Sequence, residues 1–312
     1  MAIWLGFGEI GLAEPAISRD WHLDPDRIGW THIGLKASKF FLTATTGFNV
    51  SVSESGCISL LSPDQGQPVS AGADTAVVNI DSQGLGVDSK AVLWMDARTG
   101  AALQYSVLDH GRRNRQRSYR YTDIGAFHWT RYPAEGEEKA PVNTWSTTGS
   151  GMRDYPAAAA GEKIIDPVGL LYIIAASDMS RPGDSIDLVI YARRRLARLT
   201  ITTDRFVDLD EATKGNEFAR MLTASSHSKK ALLFRLTPRA MTETDDMEFN
   251  FLGLSRDIEI VLDSDTRLPL RISGKARIVG KLSIELQAAT LARKPQRVSA
   301  PDCTVGRTPT ND

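Results

Sequence analysis

The amino-acid sequence predicts a mainly β protein: a curved antiparallel sheet, or an open barrel of hairpins, with one or two short helices. Three observations favour this class. Short stretches of alternating apolar and polar residues recur along the chain, turn-forming residues separate them, and strands do not alternate regularly with long helices. Strands joined by short turns pair as antiparallel hairpins, whereas parallel strands need long crossovers. We therefore expect a single mainly β domain over residues 19–292.

One hairpin pattern occurs twice, at Ala91–Val107 and Asp257–Ser273. Each copy consists of an apolar strand, an Asp-x-x-Thr turn and a second apolar strand, and aligning Thr99 with Thr266 superposes the two. Asp and Thr side chains in turns hydrogen-bond the nearby backbone, so the motif also arises independently. The sequence leaves two origins open: a domain of two similar halves, or ordinary turn chemistry used twice.

The first half of the chain predicts further strands. We expect a turn at Thr45–Gly47, and the unbroken apolar run Val92–Met95 predicts a strand that is covered on both faces. Residues 62–73 and 133–161 are rich in turn formers, so we expect loops there. The strands predicted outside the repeated hairpin are Trp30–Ala44, Phe48–Ser53, Ala76–Ile80, Tyr119–Tyr121 and Phe127–Tyr132.

The second half holds the clearest helix signal. Asp is a preferred N-cap and Pro is favoured at the first helical position, so Asp166-Pro167 predicts a helix that ends near Ser177. A second helix is expected over residues 208–222, weakened by Gly215. Pro269 cannot donate to a strand ladder, which predicts an edge or a bulge there. The remaining predicted strands are Ile186–Ile190, Leu196–Thr202, Leu232–Leu236, Met247–Leu254 and Gly280–Gln287.

Composition is that of an ordinary globular chain: 312 residues, 42% hydrophobic, 24% charged and a net charge of −1. Such a balance gives no basic field for nucleic acid, and no apolar run is long enough for a membrane-spanning helix. Residues 1–18 resemble a signal peptide without its basic start, so we expect a remnant signal or a loose segment. Residues 293–312 are expected to be a disordered tail. Cys57 and Cys303 permit a disulfide or two separate thiols.

Sequence motifs of common enzymes are absent: no nucleophile elbow, phosphate-binding loop, dinucleotide fingerprint or zinc-protease motif occurs. The pattern His22-x-Asp24-x-Asp26 has donor types suited to a metal but no third fixed ligand, so we interpret it as structural. The acidic residues within 243–248 are interpreted as a solvated turn rather than a calcium loop. We expect no metal, no cofactor and no catalytic residue, and we interpret His128 as an outward-facing polar residue.

Two arginine clusters are the strongest candidates for ligand binding. Guanidinium groups pair with phosphate and carboxylate, and neighbouring aromatic side chains suit an interface with one apolar side. The alternative is that both clusters are solvated hairpin ends, which deter edge-to-edge pairing. The candidate ligand-binding residues are Arg112, Arg113, Arg115, Arg117, Tyr119, Tyr121, Trp129, Arg193, Arg194 and Arg195.

Several short motifs occur in a recognisable order: Trp94–Thr99, Asp166-Pro167 with Tyr172, Pro182–Asp184 and Leu268–Leu270. In this order the chain resembles the domain of unknown function 3108 family, which consists of exported proteins of Gram-negative bacteria. A second glycine expected near residues 37–38 is missing, and residues 135–161 and 208–230 resemble insertions. The resemblance implies a periplasmic or cell-envelope location and no assigned activity. By fold-level analogy, the hairpins are also similar to those of periplasmic lipoprotein carriers.

Three functional hypotheses follow. The first is a non-enzymatic envelope protein that binds a hydrophobic or amphipathic, lipid-like molecule, which predicts an apolar cavity of several hundred cubic ångströms between sheet and helix. The second is a structural or protein-interaction module, which predicts a contiguous exposed apolar patch. The third is a hydrolase-type enzyme whose site assembles Asp166, His128 and Arg117, which predicts titratable groups with shifted pKa values in one cleft. The sequence favours the first, with lipid or another anionic envelope component as partner.

Overall fold

The computed structural model describes residues 21–39, 42–55, 60–84, 86–111, 114–192, 194–241, 249–292 and 294–298. Sixteen strands lie within these ranges. Those of the first half are β1 Trp30–Lys39, β2 Leu42–Glu54, β3 Asp74–Gly84, β4 Val87–Asp96, β5 Ala102–Gly111, β6 Arg115–Tyr121, β7 Gly125–Tyr132 and β8 Thr147–Asp154. Those of the second half are β9 Ile164–Ile165, β10 Ser185–Ala192, β11 Arg195–Asp208, β12 Lys230–Ala240, β13 Leu254–Asp263, β14 Pro269–Ala276, β15 Gly280–Leu291 and β16 Gln296–Val298.

All sixteen strands form one curved sheet. The order is β8-β7-β6-β5-β4-β3-β2-β1-β15-β14-β13-β12-β11-β10-β9, with β16 paired to β2. Neighbours are antiparallel except at β9–β10 and β2–β16. In a flat sheet β6 and β10 would lie roughly 50 Å apart, since neighbouring strands are about 4.8 Å apart. Instead, the rings of Tyr119 on β6 and Tyr191 on β10 have centroids 6.0 Å apart. The sheet therefore curls until its two arms meet, and the predicted fold class is confirmed.

Connections alternate between the two ends of an antiparallel sheet. The β1–β2, β3–β4, β5–β6, β10–β11 and β14–β15 connections therefore lie together, at what we call the hairpin end. Consistent with this, Lys39 in the β1–β2 hairpin donates a hydrogen bond from Nζ to the carbonyl oxygen of Lys281 beside the β14–β15 turn. The two Asp-x-x-Thr turns, β4–β5 and β13–β14, lie at the opposite end.

The two Asp-x-x-Thr turns have the same geometry. Thr99 Oγ1 donates to Asp96 at 2.9 Å, and Thr266 Oγ1 donates to Asp263 at 2.6 Å. The next residue in each turn, Gly100 or Arg267, has a positive φ and donates its backbone N–H to the aspartate carbonyl. The local structures at the two aligned hairpins are thus equivalent. Pro269 sits at a register shift of β13–β14, as its missing donor predicts.

The main core lies on the concave face of the sheet. Side chains from distant strands pack there in one cluster, for example Leu93, Leu199 and Phe234. On the other face of β4, Val92 and Trp94 form a second cluster, which is covered by Leu60, Val69 and Ala71. The prediction that Val92–Met95 is covered on both faces is therefore confirmed, because residues 60–73 cross the convex face. Residues 140–145 cover Leu108 on that face in the same way.

Three short α-helices occur in the described residues: α1 Leu170–Ala176, α2 Leu209–Ala212 and α3 Glu217–Thr223. All seven residues of α1 are buried, and its Tyr172 hydroxyl donates to the Ala97 carbonyl at 2.7 Å. A 3₁₀ turn capped by Asp166 precedes α1, as the Asp-Pro signal predicted. The helix expected over residues 208–222 is divided in two at Gly215, whose φ is +81°.

Four sequence-based expectations differ from the structure. Thr45–Gly47 lies inside β2, because β-branched threonines suit a strand and Gly47 pairs directly with Gly34. Residues 147–154, expected to be loop, form β8, since backbone pairing with β7 needs no apolar pattern. Of the strand expected over Met247–Leu254, residues 247–248 lie outside the described residues, residues 249–253 are not part of a strand, and β13 begins at Leu254. Within the expected tail, Gln296–Val298 pairs with Ser51–Ser53 of β2, just past the stretch of β2 that pairs with the beginning of β1.

Candidate functional site

A cavity of about 460 Å³ lies where the two arms of the curved sheet meet. It is bounded by β5 and β6 on one side, by β10 on the other, by the turn before α1 and by the segment before β13. Its walls are mostly aromatic, charged or polar, with three aliphatic residues. We call it the tyrosine–arginine pocket; its lining residues are Tyr105, Arg117, Tyr119, Asp166, Pro167, Val168, Tyr191, Ala192, Arg194 and Asn250.

Five of the seven tyrosines in the chain are clustered at this pocket. Tyr191 is the centre of the cluster: its ring centroid lies 5.7 Å from that of Tyr121, 6.0 Å from Tyr119 and 6.3 Å from Tyr155. Tyr105 stacks on Tyr119 with centroids 6.4 Å apart. Offset and edge-on ring pairs of this kind are stabilising. They also present ring faces and edges to the cavity, where an apolar ligand body would pack.

Arg117 supplies positive charge to the pocket wall. Its Nη2 lies 2.8 Å from Asp109 Oδ2, and the same oxygen accepts from Arg115 Nε at 2.9 Å. Two guanidinium groups thus share one carboxylate, and one positive charge is left over. Arg117 Nε is buried and has no hydrogen-bond partner among the described residues. Because a guanidinium carries five donors, Arg117 retains capacity for an anion.

Arg194 reaches the pocket from the β10–β11 hairpin. Its backbone is left-handed, with φ of 76°. Two-residue hairpin turns require positive φ, and glycine or asparagine adopts it most readily. An arginine here costs roughly 1 kcal/mol relative to a relaxed backbone. A strained residue whose side chain lines a cavity indicates a role for that side chain.

Asp166 is the buried acid of the pocket. Its Oδ2 accepts from the Tyr121 hydroxyl at 2.6 Å and its Oδ1 accepts from the Val168 N–H at 2.9 Å. Burial raises the pKa of Asp166 to about 6, although both hydrogen bonds act in the opposite direction. Burial also raises the pKa of Tyr121 and Tyr191, so both phenols are neutral donors at physiological pH. The Tyr191 hydroxyl is buried and has no partner among the described residues.

The structure brings some of the sequence candidates together and separates others. Arg117, Tyr119 and Arg194 line the pocket, and Tyr121 lies behind it against Asp166. Arg115 does not line the cavity, but it shares the Asp109 carboxylate with Arg117. Arg195 is exposed on the same hairpin as Arg194 and does not line the cavity. Arg112, Arg113 and Arg193 lie outside the described residues.

Trp129 does not belong to this site. It pairs with Ser118 on the convex face, and Arg131 lies 5.0 Å from its ring centroid. His128, expected to face outward, instead pairs with Tyr119 and so shares the concave face. Burial and the charge of Arg153 lower the pKa of His128. Gly151 allows this arrangement, because a Cβ there would lie 3.0 Å from the imidazole.

Tyr105, Tyr191 and Asp109 were not identified from the sequence. They lie on ordinary strands, and no local signal marks them. Asp166 was identified only as a helix cap and as one member of the enzyme hypothesis.

The cavity has the size that the binding hypothesis predicted, but it lies beside the turn before α1 and is not wholly apolar.

The residues that the sequence analysis considered for metal binding or a disulfide do not line the tyrosine–arginine pocket or lie outside the described residues. Asp24 accepts from the Asp26 N–H and caps the 3₁₀ turn Pro25–Arg27. The described residues contain no group of three acidic, histidine or cysteine side chains that could hold a metal ion. Cys57, Cys303 and the acidic residues within 243–248 lie outside the described residues. No helix in the described ranges is long and apolar enough to cross a membrane.

Comparison with known proteins gives one distant structural likeness. No family model and no curated protein matches the sequence. A solved structure, described as a β-barrel-like protein of domain of unknown function DUF1849 from Brucella abortus, aligns with a TM-score of 0.40 and 9% identity. The alignment covers 85% of this chain and 98% of that one. The resemblance to the domain of unknown function 3108 family stays a prediction.

Proposed function

We propose that the protein binds a small amphipathic, lipid-like anion in the tyrosine–arginine pocket without transforming it. The observation that carries this proposal is the convergence of two arginines and three tyrosines, from strands far apart in sequence, on one cavity of about 460 Å³. A cavity of this size suits a single drug-sized molecule. The cell-envelope location predicted from the sequence completes the proposal, and cell fractionation tests it.

Each part of the pocket suits one part of such a ligand. Arg117 and Arg194 suit a carboxylate, sulfonate or phosphate, because guanidinium groups donate parallel hydrogen bonds to these anions. The ring faces of Tyr105, Tyr119 and Tyr191 suit an apolar body. The Tyr191 hydroxyl, which is buried and has no partner among the described residues, is one further donor at the pocket wall. Anion and apolar body would therefore be held by different walls.

Two related dyes test this division. Anilinonaphthalene sulfonate carries an anionic group, and N-phenylnaphthylamine is the same type of fluorophore without it. The proposal predicts that the wild-type protein binds the sulfonate more tightly than the neutral dye. Arg117→Gln and Arg194→Gln should each weaken sulfonate binding roughly tenfold, since hydrogen bonds to charged groups contribute about 1.5–3 kcal/mol. Binding of the neutral dye should change little in either variant.

Arg195→Gln is the matched control, because it removes the same charge from the same hairpin but not from the cavity wall. Equal losses in Arg194→Gln and Arg195→Gln would show general charge attraction, and the proposal would then fail. Failure would also follow from equal affinity of the wild-type protein for both dyes.

A second candidate function is acid–base catalysis of hydrolase type. It is favoured by Asp166, whose pKa of about 6 suits proton transfer and whose carboxyl shares the cavity with Arg117. Both carboxyl oxygens already accept hydrogen bonds, which fits a structural acid better than a catalytic one. Turnover of a panel of aryl esters that is lost in Asp166→Asn but kept in Arg195→Gln would establish this candidate instead.

The interaction-module hypothesis has less support. It predicts one contiguous apolar patch, but the exposed large apolar side chains of the described residues are divided between both ends of the sheet. Val87, Tyr132 and Ile278 lie at the hairpin end, and Ile124 and Leu291 lie towards the opposite end.

A further inference from the structure

The β14–β15 turn combines the most exposed large apolar side chain of the described residues with basic neighbours. Ile278 is 94% exposed at the tip of this hairpin. Residues 275–281 read Lys-Ala-Arg-Ile-Val-Gly-Lys, with three basic residues and no acidic one. Arg277 and Lys281 are both exposed beside Ile278. The turn therefore presents one exposed apolar side chain between basic residues, in addition to connecting the two strands.

The backbone holds Ile278 away from the protein. Ala276 pairs with Gly280, which leaves a three-residue turn, and Gly280 has φ of +69°. A three-residue hairpin turn followed directly by a left-handed glycine is a tight, well-defined loop. The apolar side chain is therefore presented to solvent by a short connection and does not fold back onto the sheet.

Basic residues extend beyond this turn along the same edge. Lys39, in the neighbouring β1–β2 hairpin, contacts the Lys281 carbonyl. Lys275 Nζ lies 2.7 Å from Asp257, which offsets part of the charge at the base of the turn. The chain as a whole has a net charge of −1, so any attraction to an anionic surface must be local to this edge.

We infer that the β14–β15 turn docks the protein on an anionic lipid bilayer. Ile278 would enter the boundary between headgroups and acyl chains, and Arg277, Lys281 and Lys39 would face lipid phosphates. An apolar side chain ringed by lysine and arginine is the pattern of interfacial membrane contacts, and basic residues near an anionic leaflet are attracted to it. One apolar residue and a few charges give weak, reversible attachment. The proposal does not depend on the pocket binding its own ligand, although both lie towards the hairpin end.

Vesicle co-sedimentation of the full chain tests the inference. Wild-type protein should sediment with vesicles of phosphatidylcholine mixed with phosphatidylglycerol and not with phosphatidylcholine alone, and added salt should weaken the binding. Ile278→Ser should weaken it roughly tenfold, because an exposed isoleucine loses its apolar burial in the bilayer. Arg277→Gln and Lys281→Gln should each weaken it roughly fivefold.

Two controls separate this contact from other causes. Met221→Ser removes an apolar side chain that is 65% exposed on α3, which follows β11 at the opposite end. Its binding should equal that of the wild type, and equal losses in Met221→Ser and Ile278→Ser would overturn the inference. So would equal binding to neutral and anionic vesicles. The double variant Arg117→Gln/Arg194→Gln should still bind vesicles; if it does not, the pocket and not the turn makes the contact.

Discussion

Ionisation of Asp166 should make the stability of the protein depend on pH in a defined direction. An aspartate in an unfolded chain titrates near 3.8, whereas burial raises the pKa of Asp166 to about 6. The folded state therefore holds more protons than the unfolded state between these two values. The free energy of unfolding falls as pH rises through that window, and this loss is complete above the folded pKa. A difference of roughly two pKa units corresponds to about 3 kcal/mol.

Asp166→Asn isolates this effect. Asparagine is as good an N-cap as aspartate, so the bond from the Val168 N–H is preserved, and the amide can still bond the Tyr121 hydroxyl. The variant should be about as stable as the wild type near pH 4, and more stable by up to about 3 kcal/mol near pH 7.5. Urea unfolding followed by tryptophan fluorescence at several pH values measures the difference.

The reasoning fails if the stability difference between wild type and Asp166→Asn is the same at every pH. Tyr121→Phe is a second check, because the Tyr121 hydroxyl bond lowers the pKa of Asp166. Its removal should raise the folded pKa and so extend the upper limit of the pH window. Protonation of Asp166 should also affect anion binding, because it removes a negative charge from the pocket. Affinity for an anionic dye should therefore rise as pH falls through about 6, and Asp166→Asn should lose most of that dependence.

Three further predictions can be checked by unfolding and binding measurements. Arg194→Gly should raise the free energy of unfolding by up to about 1 kcal/mol by relieving its left-handed backbone, yet weaken binding of the anionic dye; loss of stability would contradict the strain argument. Tyr191→Phe should leave stability unchanged because its hydroxyl has no partner within the described ranges, whereas Tyr172→Phe should lose about 1 kcal/mol with its hydrogen bond; similar losses would refute the assignment. Asp96→Ala and Asp263→Ala should each cost about 2–4 kcal/mol, since each carboxylate accepts several bonds. A neutral effect at either would show that the turns are not equivalent.

Local patterns predicted the elements whose signals lie within a few residues. The Asp-x-x-Thr turns, the cap at Asp166, the bulge at Pro269 and the two-sided burial of Val92–Met95 are of this kind. Elements that depend on backbone pairing alone were missed. The segment 147–154 contains two glycines and few apolar residues, and only its pairing with β7 makes it a strand.

The pocket depends on closure of the sheet, which no local pattern encodes. Tyr191 lies more than seventy residues from Tyr119, and nothing near either residue shows that their rings meet. The sequence marks two arginine clusters as candidates, and alternation along β6 places Arg117 and Tyr119 on one face. That Arg194 joins them follows only from the strand order of the whole sheet.

Native mass spectrometry of the protein isolated without denaturation, followed by organic extraction, tests the central claim most directly. The account predicts one stoichiometric bound molecule with an acidic group and an apolar body, either as isolated or after incubation with an anionic amphiphile. The complex should be lost in Arg117→Gln/Arg194→Gln and kept in Arg195→Gln. An unliganded mass under both conditions, or a ligand that the double variant retains, would contradict the claim that this pocket binds an anion.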